Sequence, residues 1–359
     1  MDVLISGAGV AGHALAYWLR HHGFTPTVVE RAPRVRAGGG AVGFRGEALD
    51  VLDRMALLER VKALNPQILR GELIGLLHEA TCQEVEYVFG DSIDALEQDA
   101  DGVRVTFERG RPRRFALVTG ADGLHSRTRS LVFGPHERFV RHLGLYTATF
   151  GLPDCPGLCD AGRLHSGPGK EADISSTPGK PGARVALHFA SGPLAYDHDD
   201  VGQHKRIVAG QFAGESGQVP RLLEEMSGAE GFFFDVNAQV EMDCWSSGRV
   251  VLVGDAGCCA APASGLGASQ ALIGAYVLAG ELAVAGGDHA VAFAAYEREM
   301  RGFVAEHQQM GREGADRFFM GTPIQEELGL VAANAPEAAA CAQIVRLKDY
   351  APRFAAQWP

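Results

Sequence analysis

No two of the seven cysteines, at positions 82, 155, 159, 244, 258, 259 and 341, form a C-x-x-C pair. That spacing suits neither a zinc knuckle nor a disulfide framework, so no metal is expected and the thiols read as buried and inert. An odd count in a large chain favours reduced cysteines, hence the cytoplasm. Basic runs are missing too. The net charge is −11, and the arginines of "RPRR" (111–114) read as a solvated hairpin tip. An acidic chain without a basic stripe is a poor partner for nucleic acid or an anionic membrane. The longest apolar run, 271–285, is interrupted by Glu281 and is too short to span a bilayer. "MDVLISGAG" enters a strand at once, with an acid at position 2, so no leader peptide is expected.

Glycine is what the chain has in excess, 46 of 359 residues, nearly twice the usual ~7%. It follows no triplet period, which excludes a collagen-like chain. The length allows two domains. "DVLISG" (2–7), "AGHALAYWLRHHG" (11–23) and "PTVVE" (26–30) read as strand, helix and strand, a βαβ unit that implies a parallel sheet. Residues 46–64 and 69–80 read as amphipathic helical stretches, and the segments up to 120 as a small antiparallel element returning to the sheet. From 144 to 245 short strands alternate with Pro/Gly-rich turns, with one helical stretch at 219–229. A buried strand at 248–253 and a long helix at 267–285 follow. The expected class is α/β. Residues 1–143 and 246–330 form a Rossmann-like, mostly parallel unit; 144–245 form an inserted, mostly antiparallel sheet; 331–359 form a C-terminal helix.

The chemistry begins with "GAGVAG" (7–12), a G-x-G-x-x-G between strand and helix. Gly7 makes the tight turn, Gly9 admits a pyrophosphate, and Gly12 permits close helix–strand packing. The helix start at Val10 and Ala11 supplies positive potential for phosphates. Glu30, ending the next strand 18 residues after Gly12, can accept hydrogen bonds from a ribose, with Arg31 beside it. No second G-x-G-x-x-G follows a strand, so a second dinucleotide domain is not expected.

Two further stretches carry a resemblance. "GADGLHSRTR" (120–129) resembles, at Asp122, Gly123, Ser126 and Arg129, the D-G-x-x-S-x-x-R signature of the class A flavoprotein monooxygenases, which have the para-hydroxybenzoate hydroxylase fold. "GDAGCCAAPASGLG" (254–267) resembles that family's G-D-A segment at Gly254, Asp255, Ala256, Pro262, Gly265 and Gly267. Arg70, in "ILRGELIGLL" (68–77), matches its Arg-x-x-Leu helix start. Two positions depart from the pattern: Gly257–Cys259 stand where many members carry a histidine, and Ala268–Ser269 where an asparagine is usual.

The resemblance implies FAD, with NAD(P)H as a transient reductant and a flavin C4a-hydroperoxide that hydroxylates an electron-rich small molecule using O2. The cofactor carries that chemistry, so no catalytic triad is needed. By the same resemblance Asp255 accepts a ribityl or ribose hydroxyl, Arg70 holds the pyrophosphate side, and Asp122 belongs to the cofactor-binding set. The bare backbone of Pro262, Gly265, Leu266, Gly267 and Ala268 lies beside the flavin ring. Arg45 and Pro262 are the candidates nearest the chemistry. Thr149, Arg163, His188 and Phe189, on strands of the inserted sheet, are the candidates for the substrate. "GRLHS" (162–166) and "ARVALHFAS" (183–191) resemble the tetracycline-inactivating and natural-product-tailoring branch, which implies a polycyclic aromatic or polyketide substrate. Halogenases of this fold carry Trp-x-Trp, and here the tryptophans stand apart at 18, 245 and 358. A same-fold flavin reductase or dehydrogenase and a non-catalytic flavin carrier stay open, as does a monomer or a homodimer.

Overall fold

The computed structural model describes residues 1–36, 38–44, 46–64, 68–153, 162–176, 182–229, 231–319 and 345–350. One layer is a six-stranded sheet in the order 246–247, 250–252, 117–120, 2–6, 25–30 and 86–89. All neighbours are parallel except the first pair. The strands are short apolar runs because both faces are covered. Val3 and Ile5 enter a core shared with the helices Val10–His21 and Gly267–Val284. Leu4, Val29, Val118 and Val250 enter a second core, roofed by the small antiparallel sheet Ile93–Gln98, Val103–Phe107 and Arg113–Phe115. Strand alternation alone divides them. Among the described residues one helix, Gly267–Val284, is long and apolar enough to cross a membrane, and it is mostly buried inside the protein.

The other layer is a five-stranded antiparallel sheet in the order 162–167, 170–176, 183–190, 140–152 and 233–240. Residues opposed across such a pair share a face. Tyr146, Phe150, Leu187, Phe189, Phe234 and Val236 form the apolar face, packed with Val208, Phe212, Leu222 and Met226 of the helical region 201–228. The opposite face is polar. Thr147 stands opposite both His188 and Asp235, and Asp173 stands opposite Ala186.

Three expectations change. The stretch 46–64 is two helices, Glu47–Arg54 and Leu58–Ala63, broken where Ala56 takes a φ of 55°. A helix at Val201–Gln211 was not expected, because its inward side chains are few and include His204. Of the expected terminal helix 331–359 only 345–350 are described, and these form no helix. They form a strap instead: the Tyr350 hydroxyl and Lys348 Nζ both donate to the buried Glu281, at 2.8 and 2.7 Å.

Candidate active site

The glycine loop reads residue by residue as three separate physical demands. Gly7 has φ +104°, and a Cβ there would lie 2.6 Å from the carbonyl oxygen of Ala121. A Cβ on Gly12 would lie 1.9 Å from the carbonyl oxygen of Gly7. At Gly9 the same atom would meet nothing within 4 Å. The first turn of the following helix contains no acid, so its N-terminal potential is not cancelled locally. Glu30 is 9% exposed and accepts from the backbone N–H groups of Ala8 and Ala32, each at 2.8 Å. Arg31 turns outward to Asp199 at 3.4 Å and does not join the loop.

Asp122 does something the sequence did not suggest. Its carboxylate accepts from Ser126 Oγ at 2.5 Å, and from the N–H and Oγ1 of Thr128 at 2.9 Å each. It organises its own loop. Ser126 then caps the helix Arg127–Phe133 by accepting from the N–H of Arg129 at 2.9 Å. The fully buried Arg129 guanidinium donates to the carbonyls of Ala256 (2.8 Å) and Leu124 (2.7 Å) and meets His136 Nδ1 at 3.0 Å. One side chain therefore ties the second motif to the third.

That third motif lies on the first. A Cβ on Gly254 would stand 3.0 Å from the Cβ of Ala11, so the start of the third motif packs directly against the first. Asp255 and Arg70 keep a solvent-reachable edge, yet protein atoms crowd both. Burial pushes the Asp255 carboxyl above its ordinary range, and the Arg70 charge opposes that rise. Arg70 lies over the Phe233 ring at 4.9 Å and packs on Gly39. Leu266 precedes the helix Gly267–Val284, whose first turn, with Gly267 and Ala268, also lacks an acid.

Between them runs the turn Pro262–Ser264, entered through Ala261 at φ +75° and left through Gly265 in the left-handed region. A non-glycine residue there costs on the order of 1–3 kcal/mol and persists only when its surroundings enforce it. They do: Gln239 Nε2 donates to the Ala260 carbonyl at 3.0 Å, and the Ser264 N–H and hydroxyl donate to the Ala261 carbonyl at 3.1 and 2.8 Å.

A hydrogen-bond chain of fixed polarity leaves this turn. The Ala263 N–H can only donate, and it donates to Asn237 Oδ1 at 3.0 Å. Asn237 Nδ2 therefore donates to Thr147 Oγ1 at 2.9 Å, leaving the hydroxyl proton for His188 Nδ1, also at 2.9 Å. The neutral imidazole then carries its own proton on Nε2, which has no hydrogen-bond partner among the described residues and lies 4.0 Å from Asp173 Oδ2. Thr149 Oγ1 on the same face is likewise buried without a partner there. Phe189 does not join them. It points to the apolar face, stacked on Tyr146 with ring centroids 5.4 Å apart, because its neighbour His188 takes the polar side. Arg163 has its backbone paired with Asp173, and its side chain lies outside the described residues, as does Arg45 entirely. Sequence reasoning missed Asn237 and Thr147; strand alternation around His188 was the available signal.

Burial holds His188 and His13 neutral, with pKa values lowered to about 4, and His13 Nδ1 sits 3.0 Å from the Gly9 carbonyl. A histidine depressed in the folded state binds its proton more readily unfolded, so stability falls as pH drops from 6.5 towards 4. Each such imidazole steepens that fall by about 1.4 kcal/mol per pH unit. Urea melts at pH 7 and pH 5 should show a smaller loss for His188→Gln than for the parent; equal losses would refute the buried neutral state.

Comparisons with known proteins bear on the family. The FAD binding domain family matches residues 1–75. A flavin-dependent monooxygenase of Legionella longbeachae is 34% identical over 359 residues, covering 91% of this chain and 92% of its own. The chain belongs to the flavin-dependent monooxygenases. An uncharacterized protein of Mycobacterium tuberculosis is 42% identical over 358 residues, covering 90% of this chain and 95% of its own. The crystal structure of the tetracycline destructase Tet(51) superposes with a TM-score of 0.87 at 32% identity, covering 97% of this chain and 99% of that one. The monooxygenase thus uses FAD and acts with oxygen on a small molecule, and the resemblance read from its three motifs holds over nearly the whole chain.

Proposed function

We propose that this monooxygenase hydroxylates a polycyclic aromatic or polyketide-like molecule, with NAD(P)H as the reductant. The observation that carries the reading is the polar sheet face: a buried, directed hydrogen-bond chain runs from the Pro262–Ser264 turn to His188, whose Nε2 has no hydrogen-bond partner among the described residues. The likeness to a tetracycline destructase supports the substrate class.

The residues present fit FAD. Open space at Gly9, beside a helix start free of acids, suits a pyrophosphate, and Glu30 would accept from the adenosine ribose. Arg70 would complement the phosphates. Asp255 would take a ribityl hydroxyl, and the bare turn from Pro262 to Ala268 would face the ring. Asp122 would act through the loop it holds. FAD, when bound, takes a hydride from NAD(P)H and activates oxygen. The chain's own part is to exclude water and to hold the substrate: His188 donates from Nε2 to an acceptor oxygen, and Thr149 offers a second polar contact. The units 1–143 with 246–330 and 144–245 are taken as the cofactor side and the substrate side. A cytoplasmic monomer or homodimer belongs to the same reading.

The test is NAD(P)H consumption by the FAD-loaded protein with tetracycline and a panel of polycyclic phenols under ¹⁸O2. Label in the product is expected. Substrate-stimulated NAD(P)H oxidation with no label in any product would leave a reductase. Asp255→Ala should weaken FAD retention by about 1–3 kcal/mol, the cost of a hydroxyl losing its buried acceptor. Unchanged flavin content after gel filtration would remove Asp255 from the site.

A further inference from the structure

Three side chains to which the proposed reaction gives no role meet at the seam between the two layers, and the charge of one of them, Asp235, is felt by Arg70 and Asp255. His125 comes from the loop before the helix Arg127–Phe133, His198 from the segment after the strand Ala183–Ala190, and Asp235 from the strand Phe233–Val240. One ligand atom from each lies within 4.8 Å of the others, and His125 Nε2 is 3.1 Å from Asp235 Oδ1. The carboxylate is already oriented: Oδ1 also accepts from the Val236 N–H at 2.8 Å and the Tyr196 hydroxyl at 3.5 Å. The His125 ring is held between His198, with centroids 3.8 Å apart, and His136, at 5.3 Å. His198 is exposed, so the cluster opens to solvent.

We propose that His125, His198 and Asp235 bind a divalent transition-metal ion of the zinc class, clamping the Asp122 loop to the antiparallel sheet. Two imidazoles and one carboxylate favour zinc, nickel or copper over magnesium or calcium, which take oxygen ligands. Bonds of about 2.0–2.2 Å to zinc put neighbouring ligand atoms roughly 3.4 Å apart. The His125–Asp235 pair is near that spacing, and the exposed His198 ring closes the rest by rotation. Water completes the shell. No motif announced the site, because its three ligands are 73 and 37 residues apart in sequence. They come together only where the loop at 125 meets the sheet.

An ordinary hydrogen bond between His125 and Asp235 would account for the same contact without a metal, and titration with the ion separates the two. The full-length, FAD-loaded protein is freed of metal with a chelator and titrated calorimetrically with zinc chloride, and in parallel with magnesium chloride. One equivalent of zinc should bind and raise the melting temperature, with no magnesium binding. His198→Ala, at an exposed position, should keep its flavin absorbance and lose zinc affinity by on the order of tenfold or more. Asp235→Asn should weaken zinc in the same way, and His289→Ala, at the distant start of the last long helix, should not. Absence of saturable zinc binding, or equal affinity in His198→Ala, overturns the site. Either result leaves the monooxygenase reading standing, because turnover is measured without added metal.

Discussion

Replacing Arg129 with methionine should destabilise the protein by about 3 kcal/mol and loosen its hold on FAD. The guanidinium is fully buried and serves two carbonyls from different motifs, Leu124 beside Asp122 and Ala256 beside Asp255. A buried carbonyl left without a donor costs about 1–3 kcal/mol. Burial also lowers the Arg129 pKa, so the folded state carries a desolvated charge that methionine would relieve. The two lost bonds are expected to outweigh that relief, because each leaves a buried carbonyl short of the donor it has in the folded state. Arg129→Lys should rescue little, because one ammonium cannot reproduce the planar fork. Denaturant melts and flavin content after gel filtration read both effects. A change under about 0.5 kcal/mol, the size of an ordinary surface substitution, would show that the bridge carries no stability.

The paired substitutions Gly12→Ala and Gly9→Ala should separate folding from cofactor binding. At position 12 the new methyl would sit 1.9 Å from the Gly7 carbonyl oxygen, a backbone atom in the middle of the core. The helix Val10–His21 would have to move off the strand Asp2–Ser6, and overpacking of this kind costs about 1–3 kcal/mol or more. Gly12→Ala should therefore melt early and be colourless. At position 9 the methyl meets no protein atom within 4 Å. Gly9→Ala should melt like the parent when both are stripped of flavin, yet bind FAD more weakly, because the methyl fills the space proposed for the pyrophosphate. Equal FAD affinity in Gly9→Ala and the parent would place the phosphates elsewhere.

Local rules made the cofactor half readable in the sequence. A tight turn, a helix start and a strand-ending acid are set within about thirty residues, so the roles of Gly7, Gly9, Gly12 and Glu30 are legible in the sequence. The break at Ala56 escaped that reasoning, since a left-handed alanine has no composition cue. So did the organising role of Asp122, whose donors Ser126 and Thr128 lie close in sequence but reach it only through the bend of the loop.

The sequence alone settled the βαβ start, the buried strands and the bare-backbone segment at 254–268, because each depends on neighbours a few residues away. Tertiary packing decided the rest. It set which face of the antiparallel sheet looks towards the turn at 262–264, turning His188 inward and Phe189 away. It also brought Arg129 to Ala256 and His125 to Asp235, pairs 127 and 110 residues apart. Contacts at that separation carry no periodicity along the chain; the first follows from how distant segments close one unit, the second from how two independently patterned layers pack against each other.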